Sequence, residues 1–148
     1  MNILVDSSIW SLVLRREGVD PQAPGVKALY ACMGRGDQIH LIGSILQEVL
    51  SGIKSADQFY KVRDGLAILP LIDLTRDTYI DAARLFNACQ RMGIQAGQTD
   101  CLIAAAAVEN GYPLLTMDDD FLHIARCCEL RLLPVHENPK DGSRDIPN

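Results

Sequence analysis

Short apolar runs alternate along this chain with stretches of helical length, and that alternation constrains the fold more than any other feature. Asn2-Ile3-Leu4-Val5, Gln38 to Ile42, Ala67-Ile68-Leu69, Leu114-Leu115-Thr116 and Arg131-Leu132-Leu133 read as strands. They are too short for helices and lack the polar alternation of a strand wetted on one face. Between them lie segments with helical periodicity. Asp6-Ser7-Ser8 supplies N-cap chemistry for a helix to about Arg16, with Ile9, Leu12 and Val13 on one face. A second helix spans about 25–34, and Ser44 with Gln47 three residues on forms a capping box for a third, carrying Ser44 and Glu48 on one face. Further helices are expected over 54–65, from Thr75 to about Met92, through the small apolar run that follows Thr99-Asp100, and from Asp118 to about Arg126. Strands alternating with helices pair in parallel through right-handed crossovers, so the expected class is α/β, a three-layer α/β/α fold around a short parallel sheet of four to five strands.

A chain of 148 residues that is 48% hydrophobic buries a full core as one domain. We expect that domain over 1–136, followed by a polar, mobile tail over 137–148 that lacks apolar periodicity. Nineteen acidic residues against fourteen basic ones give a net charge of -5. That excludes nucleic-acid binding by bulk positive charge but leaves room for a local basic groove. Cys32, Cys89, Cys101, Cys127 and Cys128 are odd in number, show no C-x-x-C spacing and follow no leader, which fits a reducing cytoplasm better than disulfides or zinc. No apolar stretch reaches the ~18 residues of a membrane span, so a cytoplasmic protein without membrane contact is expected.

The distribution of acids carries the chemistry. Asp6 ends the first strand, Glu48 lies on the third helix, Asp100 opens the small-residue helix and Asp118 follows another apolar run. In parallel α/β sheets the ligand crevice lies at the carboxyl ends of the strands, where strand order reverses. These acids therefore converge on one edge. Carboxylates gathered without basic partners repel one another, and burying them unpaired is costly, so a divalent cation is the economical explanation. Mg²⁺ or Mn²⁺ takes oxygen ligands, retains waters and supports phosphodiester hydrolysis, with one ion or two. The helix starts at Asp100 and Asp118 are expected to keep their carboxylates ionised.

Asp6-Ser7-Ser8 after the first strand, Glu48 within Gln47-Glu48-Val49, Thr99-Asp100 before an alanine-rich helix, and Thr116-Met117-Asp118-Asp119-Asp120-Phe121 together resemble the PIN-domain ribonucleases. More narrowly, they resemble the VapC toxins of type II toxin–antitoxin modules, over roughly residues 1–135. The resemblance implies a PIN-like fold and a Mg²⁺- or Mn²⁺-dependent endoribonuclease that cuts single-stranded or looped RNA, such as transfer or messenger RNA. It also implies a homodimer, and a cognate VapB-type antitoxin whose C-terminal segment enters the acidic groove. By position Asp6, Glu48, Asp100 and Asp118 match the family's acidic quartet, with Asp120 an alternative to Asp118. Asp6, Asp100 and Asp118 are the metal ligands in this scheme, joined by Glu48 or Asp120. Ser7, Thr99 and Thr116 stand as supporting residues, Ser7 and Thr116 where a hydroxyl steadies a ligand or its water.

Each acid also has a simpler reading. Asp6 and Asp100 could serve as helix caps, Glu48 as a helix-surface residue, and Asp118 to Asp120 as a cap with solvated charges. A receiver-like phosphoacceptor domain would use Asp73, but Asp6 is followed by serines where paired acids are wanted, and Leu133 by Pro134-Val135 where a lysine is wanted. A dehalogenase-type phosphatase would need a second acid two residues after Asp6, where Ser8 stands. A PIN-like module that binds RNA or protein without catalysis is the remaining alternative. Arg15, Arg16, Lys54, Lys61, Arg84 and Arg91 are candidates for phosphate contacts, and Trp10 and Tyr30 for stacking or core packing. His40, His123 and His136 are expected at the surface or in packing. The sequence does not fix the dimer surface, and exposed apolar residues on the early helices around Trp10 and Ile53 are the places to look for it.

Overall fold

The computed structural model describes residues 1–15 and 17–135. Arg16, His136 and the 137–148 tail lie outside them. Four strands, β1 (Asn2–Val5), β2 (Gln38–Ile42), β3 (Leu71–Ile72) and β4 (Leu114–Leu115), form a parallel sheet in the order β3-β2-β1-β4. Leu132 adds a single parallel bridge to Leu114 in place of the expected fifth strand. Ile3, Leu4 and Val5 are all fully buried. Successive strand side chains point to opposite faces, so both faces of β1 are covered, and the fold is the expected three-layer α/β/α.

Seven helices among the described residues form the outer layers: α1 (Ser7–Val13), α2 (Pro24–Gly34), α3 (Gly43–Ser51), α4 (Ala56–Leu66), α5 (Arg76–Arg91), α6 (Gln98–Asn110) and α7 (Asp120–Ile124). Ile103, Ala104, Ala106 and Ala107 of α6 are wholly buried in the common core, and the small alanine side chains let this helix pack closely against α5. Gly111 ends α6 with φ of 67°, a left-handed conformation that only glycine takes at little cost. All five cysteines are free thiols, with Cys32, Cys89 and Cys101 buried.

Several boundaries differ from expectation, each for a local reason. The third strand is not 67–69, which forms a turn closed by Leu69 N–H to Leu66 O at 3.1 Å. Pairing begins instead at Pro70, whose carbonyl accepts from Leu41 N–H at 3.0 Å, and β3 follows at Leu71. Proline lacks a donor but keeps its acceptor, so it begins an edge strand rather than ending one. Helix α3 springs directly from β2 with Ile42 as N-cap, placing Ser44 inside the first turn, where its hydroxyl is buried without a partner. The expected capping box is therefore absent. Ser55 caps α4 by accepting from Gln58 N–H at 3.4 Å, Gly97 is the N-cap of α6, α1 ends at Val13, and α7 spans only Asp120–Ile124.

Candidate active site

The strand order reverses at β1, with β2 on one side and β4 on the other. The carboxyl ends of β1 and β4 therefore flank the crevice where such sheets take ligands. Asp6 follows β1 directly, and its N–H reaches across to Leu115 O of β4 at 3.0 Å. A cavity of about 510 Å³ opens here, lined by Asp6, Ser7 and Ser8 from the start of α1, Glu48 from α3, Asp100 from α6 and Asp118 from the loop after β4. Its wall is completed by Trp10, Leu14, Val49 and Ile53, and among the described residues no lysine or arginine lines it.

Asp6 is 3% exposed and held from several directions. Its Oδ2 accepts from Ser8 Oγ at 2.9 Å, from Thr116 Oγ1 at 2.9 Å and from Ser8 N–H at 3.4 Å, while Ser7 Oγ approaches Oδ1 at 3.4 Å. Thr116 Oγ1 in turn accepts from Asp118 N–H at 3.0 Å, and Asp118 Oδ1 from Asp120 N–H at 2.9 Å. Asp118 is half-buried, and Asp120 is exposed at the first position of α7. Carboxylate oxygens of Asp100, Asp118 and Asp120 lie within 4.8 Å of one another.

Asp100 shows what this crowding costs. Burial, followed by the charges of Asp118, Asp6, Asp120 and Glu48, pushes its carboxyl up to about 6. Desolvation and like charge thus act against the helix start at this position, and a carboxyl at about 6 stays largely ionised at neutral pH. A donor set of carboxylates and hydroxyls, gathered with every charged neighbour negative, fits a hard oxygen-seeking cation. Oxygens that all lie within 4.8 Å of one another are close enough to share one such ion, whose opposite ligands stand ~4–5 Å apart.

The structure thus brings Asp6, Ser7, Glu48, Asp100 and Asp118 to one cavity, with Asp120 and Thr116 beside it. Thr99 stands apart. It is exposed and lines a separate groove between α5 and α6 with Tyr79, Phe86 and Leu102. Sequence reasoning treated Ser8 only as a cap, whereas its hydroxyl joins Asp6 to the β4 loop. Trp10 is 7% exposed, with Nε1–H donating to Val5 O at 3.2 Å, so of its two expected roles it takes core packing, as a wall of the cavity. Asp73 follows β3, the edge strand, and is exposed outside the cavity lining, a poor position for a phosphoacceptor. Arg15, Lys54, Lys61, Arg84 and Arg91 are all exposed, Arg84 paired with Asp81 at 3.0 Å.

Comparison with known proteins agrees with this geometry. The PIN domain model matches residues 3–126. Ribonuclease VapC11 of Mycobacterium tuberculosis is 29% identical over 133 residues, covering 87% of this chain and 96% of that protein. Among solved structures, VapBC2 from Rickettsia felis bound to a DNA fragment from its promoter superposes with a TM-score of 0.70 at 20% identity, over 90% of this chain and 98% of that one. VapC20 of Mycobacterium tuberculosis, described as a sarcin-ricin loop cleaving toxin, superposes with a TM-score of 0.61 at 18% identity, over 81% of this chain and 92% of its own.

Proposed function

The chain belongs to the PIN-domain family, and we propose that it is a divalent-cation-dependent endoribonuclease of the VapC kind, the toxin of a toxin–antitoxin pair. The observation that carries this reading is the convergence of five carboxylates from separate parts of the chain on one crevice, with Asp100 pushed up to about 6 by burial and neighbours that are all acidic. Ribonuclease names among its relatives, and VapBC assemblies among structures of its fold, support the same reading.

In this scheme Asp6, Asp100 and Asp118 hold Mg²⁺ or Mn²⁺, with Asp120 as the alternative fourth acid. Bound there, the cation supplies the positive charge that an RNA phosphate and its attacking water require. Asp6 is fixed by hydroxyl donors and reorganises little on binding. Ser7 lies against Asp6 Oδ1, and Thr116 ties Asp6 to the Asp118 backbone. Glu48 enters the crevice from α3 and is exposed, so its carboxylate can take up a proton from water. The substrate is RNA, transfer or messenger, single-stranded or looped. The apolar wall of Trp10, Leu14, Val49 and Ile53 beside the acids suits the C-terminal segment of a VapB-type antitoxin, and the toxin acts in the cytoplasm as a homodimer.

Purified protein incubated with loop-containing RNA tests the reading. We expect endonucleolytic products with Mg²⁺ or Mn²⁺, none with EDTA, and a loss of at least about 100-fold in Asp6→Asn and Asp100→Asn. Cleavage that survives EDTA, or that both variants retain at equal folded concentration, would overturn it.

A further inference from the structure

The donors and acceptors around Asp6 form a closed account in which Ser8 holds a central place. Ser8 Oγ carries one proton, which goes to Asp6 Oδ2 at 2.9 Å, and its oxygen accepts the N–H of Met117 at 2.9 Å. Thr116 Oγ1 repeats the pattern from the other side, donating to the same Oδ2 at 2.9 Å and accepting Asp118 N–H at 3.0 Å. The two hydroxyl oxygens stand 3.3 Å apart. Both protons are therefore committed to Asp6, and both lone-pair sides to consecutive amides of the loop after β4. Oδ1 has only the 3.4 Å approach of Ser7 Oγ among the described residues.

The geometry points to Ser8 as a positioning residue for the cation, in an inference that rests on the metal-dependent reading above. Together with Thr116 it saturates Asp6 Oδ2, so that Oδ1 is the oxygen left to ligate. Because the same hydroxyl takes the Met117 amide, Ser8 also sets the start of the loop that carries Asp118 and Asp120. One side chain on α1 thus couples the ligand after β1 to the ligands after β4, across the point where the strand order reverses. Ser7, adjacent in sequence, has only the longer contact and cannot substitute. Hydrogen-bond partners of metal-ligating carboxylates tune affinity by about 10–100-fold.

Mn²⁺ binding followed by electron paramagnetic resonance of the free ion tests this without reference to activity. We expect Ser8→Ala to weaken Mn²⁺ by about 10-fold or more, Ser7→Ala to lose less than Ser8→Ala, and Ser8→Thr, which keeps the hydroxyl, to stay within about threefold of wild type. In cleavage assays Ser8→Ala should need more Mn²⁺ to reach half its maximal rate, while the rate at saturating Mn²⁺ recovers. Melting in EDTA establishes that each variant is folded. Should Ser8→Ala not fold, Ser8→Cys, with a thiol of similar size and weaker donor strength, carries the same comparison. Wild-type affinity in a folded Ser8→Ala or Ser8→Cys overturns the assignment to Ser8 alone, as does a Ser7→Ala loss equal to that of Ser8→Ala. A wild-type chain that takes up no Mn²⁺ overturns the metal reading itself.

Discussion

Asp100 is a side chain whose surroundings work against its charge, and that has a consequence for stability. Its carboxyl titrates near 6 in the folded protein and near 3.8 in an unfolded chain. Between those values the folded state holds more protons, so stability falls as pH rises from about 4 to 6, and the penalty is complete above 6. In EDTA, Asp100→Asn should therefore be more stable than wild type at pH 7.5. The expected gain is ~1 kcal/mol, well below the full shift because the side chain is only partly withdrawn from water. The difference should shrink towards zero near pH 4. Chemical denaturation at the two pH values checks this, and equal stabilities at pH 7.5 would show that the repulsion is not felt. The acids themselves were legible in the sequence because each follows an apolar run or sits near a helix start, positions that topology alone draws together. Ser8 was not, because a serine two residues after an aspartate looks like ordinary capping until Thr116 and Met117 are seen 2.9–3.3 Å away.

At the scale of the elements, the apolar pattern placed β1 and β2 to the residue, and α2 and α5 to within about a residue at each end. What it missed were junctions. Ala67-Ile68-Leu69 is as apolar as a strand, yet Ile68 is 84% exposed, because hydrogen-bonding partners and not hydropathy decide that pairing begins at Pro70. Ser44 and Gln47 match a capping box, but a helix that starts directly from a strand has no free residue to serve as the cap. Two substitutions test the junctions that the structure does assign. Gly111→Ala forces a Cβ into a left-handed residue and should cost about 1–2 kcal/mol. Ser55→Ala removes the acceptor for Gln58 N–H at the start of α4 and should cost ~1 kcal/mol. Urea unfolding of each, compared with wild type, measures both, and a neutral Gly111→Ala would contradict the described end of α6.

For the whole molecule, the order β3-β2-β1-β4 turns a linear list of acids into a site. Asp6 and Asp118 are far apart in sequence and adjacent only because β4 pairs with β1 on the side away from β2. A cation that binds only this assembled crevice must stabilise the entire fold. Melting should shift upward as Mn²⁺ is raised, approaching ~2.7 kcal/mol at a hundredfold excess over its dissociation constant. That shift should be absent in Asp6→Asn, where the carboxylate with the most hydrogen-bond support is altered. The most direct test is anomalous diffraction from a crystal of the wild-type chain soaked in Mn²⁺. We expect a manganese peak in the crevice, about 2.0–2.3 Å from a carboxylate oxygen of Asp6 and of at least one of Asp100, Asp118 and Asp120. No peak there at saturating Mn²⁺, or a peak only at other surface acids, would contradict the account.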